Sequence, residues 1–262
     1  AHPNVPRGYL ELEVLESSAL EDIALVSAVI DASATLGVSF ALDDFGTGYS
    51  SLTYLKRLPA QVLKIDQSFV RDMLQDSDDL AILEGILGLA TAFRRRAIAE
   101  GVETVAHGET LLRLGCDLGQ GYGIARPMAA ADLPAWRQRW RPDPRWAHAH
   151  CLDRELMPVL IAGVEHRGWI VALGEHLDGR RDAPPPLDHH QCRFGQWLDK
   201  TIHQPRHAAT FATIETLHLR VHALAADLLK RRSQGHDVEA LAGMAELHAP
   251  WAALPAHLEY LW

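Results

Sequence analysis

The sequence predicts an α/β unit with parallel strands and outer helices, followed by a separate all-helical unit. Three observations predict this. From Tyr9 to Leu114, short segments with strand spacing alternate with longer segments of helical spacing. That order implies parallel strands with helices packed outside them. Beyond Trp146 only helical spacing remains, and thirteen of the fifteen histidines lie there. Between the two parts, the prolines of Arg141-Pro142-Asp143-Pro144 block a continuous helix. Domains are therefore expected at residues 1–145 and 146–262.

Tyr9–Leu15 alternates with period two and reads as a strand. Ala19–Leu36 has helical spacing, and Gly37 suits its C-terminal end. Val38–Leu42 is a short apolar strand running into Asp43-Asp44, and Val62–Ile65 is another, followed by Asp66. Leu80–Phe93 reads as a helix, Ala97–Ala99 as a strand running into Glu100, and Val105–Leu114 as a helix. About five strands are expected in all. In the second part, Leu156–Leu177 is helical, with Pro158 in its first turn. Gly179–Pro186 is a loop, and Leu187–Leu198, Ala208–Leu229 and Val238–Leu247 are further helices. Short loops between amphipathic helices imply an up-down bundle.

Composition bounds the function. The 262 residues exceed one average domain of about 150 residues. Lysine and arginine number 25 against 34 acidic residues, a net charge of −9. That balance argues against DNA or RNA as a partner, because non-specific nucleic-acid binding needs a basic surface. No apolar run reaches the roughly 18 residues of a membrane span. Three scattered cysteines, Cys116, Cys151 and Cys192, fit a reducing compartment better than a disulfide framework. The sequence opens on Ala1 without a signal-peptide pattern and reads as a portion of something longer.

Each expected strand ends on charged residues: Glu13 and Glu16, Asp43 and Asp44, Lys64 and Asp66, Glu100 and Glu103. In parallel α/β folds the carboxyl ends of the strands lie on one side, where sites are built. Several carboxylates in one pocket repel each other unless cations hold them, and such oxygen ligands suit Mg2+ or Mn2+.

The segments that carry these residues are ELEVLES (Glu11–Ser17), DDFGTGYSSL (Asp43–Leu52), LKID (Leu63–Asp66), AEGVET (Ala99–Thr104) and GCDLGQGYGIARPM (Gly115–Met128). In order and spacing they resemble the EAL-domain family of cyclic-di-GMP phosphodiesterases. The resemblance implies a TIM-like (β/α) barrel, here partial, and hydrolysis of cyclic-di-GMP to linear pGpG with Mg2+ or Mn2+. It implies that Glu13, Asp43 and Glu100 hold the catalytic cations and that Asp44 shares the second one. Lys64 would sit beside the attacking water and Gln120 near that water or the substrate. Glu16 and Glu103 would brace the metal shell and the loop after Asp44. Residues Phe45–Ser51 would couple substrate binding to a homodimer. Bound cations acidify water and offset phosphodiester charge. The family's Glu-Ala-Leu motif and an Asn ligand lie upstream of the residues present. The resemblance therefore implies an incomplete metal shell and no turnover by this stretch alone. The alternative is a non-catalytic cyclic-di-GMP-binding or zinc/redox sensor module.

In the helical part, His218 and His222 are four apart and project from one helix face. Cys192 and His166 lie on other expected helices, and His189, three before Cys192, rivals His166. Three imidazoles and a thiolate make a tetrahedral Zn2+ site, and helical bundles build such sites from facing helices. His203 and His207 are also four apart, but Pro205 lies between them. His166 with Trp169, the run Cys192–Leu198, and His218 and His222 with Leu224-Ala225 resemble the chemoreceptor zinc-binding domain family. That resemblance implies a four-helix, often dimeric zinc bundle with His166, Cys192, His218 and His222 as ligands. The tail from Gly235, with three more histidines and two tryptophans, has no assigned role. Cyclic-di-GMP as ligand implies a cytoplasmic protein.

Overall fold

The computed structural model describes residues 5–48, 52–153, 156–201 and 208–258. It divides into two compact units, Ala1–Leu74 with Asp78–Cys151, and Gln75–Ser77 with Leu152–Trp262.

The first unit is built on four parallel strands in the order β1 (Leu10–Leu15), β2 (Val38–Phe45), β3 (Val62–Ile65) and β4 (Arg96–Ala99). Helices α1 (Glu16–Glu21) and α2 (Ile23–Thr35) join β1 to β2. The single helix expected over Ala19–Leu36 is broken because the Asp22 side chain accepts from the Leu25 amide at 2.9 Å and starts a new helix. Gly37 ends α2 at φ +80°, as its position implied. Helix α3 (Leu52–Arg57) precedes β3, and α4 (Gln67–Asp72) and α5 (Ser77–Ala92) lead to β4. Helix α6 (Val105–Arg113) follows, then α7 (Leu133–Arg139) and α8 (Pro144–His148). All four residues of β3 are buried, as are Phe40, Ala41 and Leu42 of β2, so the core lies at the centre of the sheet. At one edge, β1 leaves Leu10, Leu12 and Leu15 exposed.

One expectation needs correction. A fifth strand does not form among the described residues. After β4 there is instead a single parallel bridge, Ala99 to Gly119, and Gly121 beyond it packs so close to the Val102 backbone that a Cβ would not fit. The two compact units divide between Cys151 and Leu152. Trp146 of α8 donates its indole N–H to the Val105 carbonyl at 2.7 Å and lies against Gly108, which ties α8 to α6.

The second unit contains α9 (Met157–Leu177), α10 (Arg193–Thr201), α11 (Ala208–Ser233), α12 (Asp237–Ala242) and α13 (Met244–Leu258). The helix expected from Leu187 starts only at Arg193. Asp188 holds residues 190 and 191 in a turn instead, accepting from both amides at 3.0 Å. The fourth expected helix, Val238–Leu247, is split at Gly243 into α12 and α13, so the bundle has five described helices. Its core has two contiguous parts. One gathers Val159, Phe194, Phe211, Ile214 and Leu254, and the other gathers Leu173, Val221, Leu228 and Leu247.

Candidate functional sites

In the first unit, strict strand alternation would send Asp43 and Asp44 to opposite faces. The structure avoids this. The β2–β3 register shifts between Leu42 and Phe45, and Asp44 takes a left-handed conformation at φ +54°. Such a bulge re-aims side chains beside a site. As a result, Asp43, Asp44 and Glu100 each offer an oxygen within 4.8 Å of the others.

Lys64 stands among these groups. Its Nζ lies 2.6 Å from Asp43 Oδ1, 2.7 Å from Glu100 Oε1 and 2.9 Å from Glu13 Oε1. Its side chain is only 7% exposed. Burial alone would push its pKa down, but the three carboxylates outweigh burial and hold it above the usual lysine range. Burial raises the Asp44 carboxyl, helped by Asp43 and Asp66, and burial raises Glu100 against the pull of Lys64. Four carboxylates against one ammonium leave excess negative charge. An all-oxygen donor set of this charge fits a hard divalent cation.

The surrounding residues fix this arrangement. The bridge at Gly119 delivers Gln120, whose amide donates to Glu100 Oε1 at 2.6 Å. Buried Glu16 accepts from the Gly46 amide at 2.8 Å. Burial raises the Glu16 carboxyl, and the Gly46 and Gly48 amides oppose this. Residues 49–51 of that loop lie outside the described residues. Glu103 stands instead on the wall of a cleft of about 480 Å³, with Gln67, Glu100, Gln120, Tyr122 and Arg126. The Arg126 guanidinium lies over the Tyr122 ring at 4.7 Å and gives the cleft a cation suited to a phosphate group.

In the second unit, His166 of α9 and His218 and His222 of α11 are buried, with ligand-capable nitrogens within 4.8 Å of one another. Cys192 Sγ lies 3.2 Å from His218 Nε2 and accepts from the Gly195 amide at 3.2 Å. His222 Nδ1 is 2.9 Å from the Leu187 carbonyl, which leaves its buried Nε2 without a partner among the described residues. Among the described residues, both ring nitrogens of His166 likewise lack any partner beyond its own backbone. His189 lies farther out, its ring 6.1 Å from His218 and 6.3 Å from His222. His203 and His207 lie outside the described residues.

Burial pushes His166 down to about 4, with His222 adding to the effect, and burial lowers His218 and His222 as well. Burial raises the Cys192 thiol. Buried imidazole nitrogens rarely go unpaired. Orphaned imidazole nitrogens converging beside a thiol make a donor set of the kind that zinc accepts.

A feature absent from the sequence reading is Trp251 of α13. Its ring stacks on His166 at 4.8 Å with a 26° interplanar angle. The spacing Leu247, Trp251, Leu254 was the available signal, since 4 and 3 residues mark one helix face.

Residues 2–127 match the EAL domain model and residues 166–229 the chemoreceptor zinc-binding domain model. Among curated proteins, the chain is 48% identical over 127 residues to the bifunctional diguanylate cyclase/cyclic di-GMP phosphodiesterase MucR of Pseudomonas aeruginosa. That alignment covers 48% of this chain and 18% of MucR. It is 40% identical over 135 residues to the cyclic di-GMP phosphodiesterase NbdA of the same organism, covering 52% of this chain and 17% of NbdA. Among solved structures, the EAL domain of Mycobacterium smegmatis DcpA shares 40% identity over 52% of this chain and 61% of that chain, with a TM-score of 0.49. The MucR phosphodiesterase in complex with c-di-GMP shares 47% identity over 48% and 51%, with a TM-score of 0.47. The chain thus spans under a fifth of these curated relatives.

Proposed function

We propose, for a chain that carries EAL-domain sequence over residues 2–127 and a chemoreceptor zinc-binding domain over residues 166–229, that it is part of a zinc-regulated cyclic-di-GMP phosphodiesterase. The observation that carries this reading is the convergence of Glu13, Asp43, Asp44 and Glu100 around Lys64. Those four carboxylates would hold Mg2+ or Mn2+. Such cations, when bound, acidify water and offset charge on the phosphodiester. Water adds to phosphorus, one ester P–O bond breaks, and linear pGpG is released. Lys64, kept protonated, would place a fixed positive charge beside the attacking water and the charge developing on the phosphoryl oxygens. Gln120 orients the Glu100 carboxylate by its 2.6 Å hydrogen bond. Arg126 draws the anionic substrate into the cleft lined by Glu103. Glu16 holds Gly46 and so the loop that would couple substrate binding to a homodimer.

His166, Cys192, His218 and His222 would hold Zn2+ in the helical unit. Zinc that favours one dimer geometry over another would shift turnover through that loop. Cyclic-di-GMP as substrate would place the protein in the cytoplasm.

The test is formation of pGpG from cyclic-di-GMP with Mn2+, read by chromatography. These 262 residues alone are expected to yield none, because the family's upstream Glu and Asn are not among them. Joined to an upstream Glu-Ala-Leu segment, the protein is expected to turn over, and Asp43→Asn to abolish it. Binding without turnover in the joined protein would instead favour the non-catalytic sensor module.

A further inference from the structure

A histidine that binds a metal is usually oriented by a hydrogen bond from its second ring nitrogen. His222 has one, from Nδ1 to the Leu187 carbonyl. His166 has none beyond its own backbone among the described residues, although it is only 2% exposed. Its ring is held by aromatic faces instead. Trp169 of its own helix and Phe194 meet it edge-on at 5.3 and 6.2 Å, and Trp251 lies flat against it at 4.8 Å.

Trp251 lies beyond residues 166–229, the span of the zinc-binding domain match. It sits on α13 between Leu247 and Leu254, which are fully buried in the two parts of the bundle core. Trp251 packs against both parts. The helix is thus anchored above and below the ring that it presents to His166. We propose that Trp251 is the positioning residue for His166, so that docking of α13 and occupancy of the zinc site are coupled. This inference rests on the zinc reading of the His166, Cys192, His218 and His222 cluster. Coupling runs both ways. Zinc tightens α13 onto the bundle, and anything that lifts α13 releases His166 and weakens zinc.

The test uses the full chain with Zn2+ itself. Zinc affinity is measured by competition with a chromophoric chelator for the wild type, Trp251→Leu, Trp251→Phe and Cys192→Ala. Trp251→Leu keeps an apolar side chain but removes the stack, and is expected to weaken zinc about tenfold. Trp251→Phe keeps a flat ring and is expected to retain most of the affinity. Hydrogen exchange of the wild type needs no substitution. Zinc is expected to slow the amides of α13 as well as those of α9 and α11.

If Cys192→Ala weakens zinc but Trp251→Leu binds like the wild type, the coupling is overturned and the zinc reading stands. Zinc that protects α9 and α11 but leaves α13 unchanged overturns it equally. If Cys192→Ala binds zinc as the wild type does, the zinc reading falls and the coupling falls with it.

Discussion

Lys64 offsets part of the charge of the strand-end carboxylates. Its ammonium lies within 2.9 Å of three carboxylates. Removing one partner of a buried charge cluster leaves the others uncompensated. Lys64→Met is expected to destabilise the metal-free protein by about 3 kcal/mol, with Mn2+ recovering part of the loss; chemical denaturation with and without Mn2+ measures both. In the joined, catalytically complete protein, Lys64→Ala should lose turnover while retaining metal. Asp44 carries a different constraint, since its φ of +54° suits aspartate or asparagine but not a β-branched residue. Asp44→Asn should keep stability and weaken Mn2+ binding, whereas Asp44→Val should cost about 1–2 kcal/mol in addition. Cys192 makes the clearest pH statement. Burial keeps it a thiol at neutral pH and keeps the three histidines neutral. Zinc needs thiolate and neutral imidazole. Binding should therefore release about one proton, from Cys192, and affinity should rise with pH between about 6 and 8. Calorimetry in buffers of different ionisation enthalpy counts that proton, and Cys192→Ala should abolish it.

The first turn of α10 shows why Gly195 is required. A Cβ there would clash with the His189 carbonyl oxygen and lie 3.3 Å from the His218 ring. Its amide also donates to Cys192 Sγ. Gly195→Ala should cost about 2 kcal/mol and weaken zinc strongly, as the chelator competition would show. Strong apolar periodicity made most elements readable from sequence. Val62–Ile65 was placed to the residue, and α9 and α11 nearly so. The failures have local causes. Asp22 and Asp188 compete for backbone amides through their side chains and start new segments, which periodicity does not register. The charged ends of the expected strands already put Glu13, Asp43, Lys64 and Glu100 on one side of the sheet. Asp44 reaches the same site only through a bulge, which alternation cannot foresee. Trp251 was missed because its partner, His166, lies 85 residues away in the sequence.

The two units carry donor sets of different chemistry. One is all carboxylate oxygen and the other is imidazole and thiol, so hard cations and zinc are expected to sort between them. Acid should affect the metal-free bundle in a stated direction. As pH falls through about 6.5, an unfolded chain protonates its histidines. In the folded bundle His166 resists protonation down to about 4. The unfolded state then binds more protons, so stability is lost as pH falls across that window. Thermal unfolding from pH 7 to 4, with chelator and with zinc, measures it; zinc should protect above the pH at which its ligands protonate. No helix of the described residues is long and apolar enough to cross a membrane. The most direct test of the account is the rate of pGpG formation by the protein joined to its Glu-Ala-Leu segment as free zinc is titrated at fixed Mn2+. The account predicts a rate that changes with zinc occupancy in the wild type and stays flat in His218→Ala. A rate indifferent to zinc in the wild type, or no pGpG at all, would contradict it.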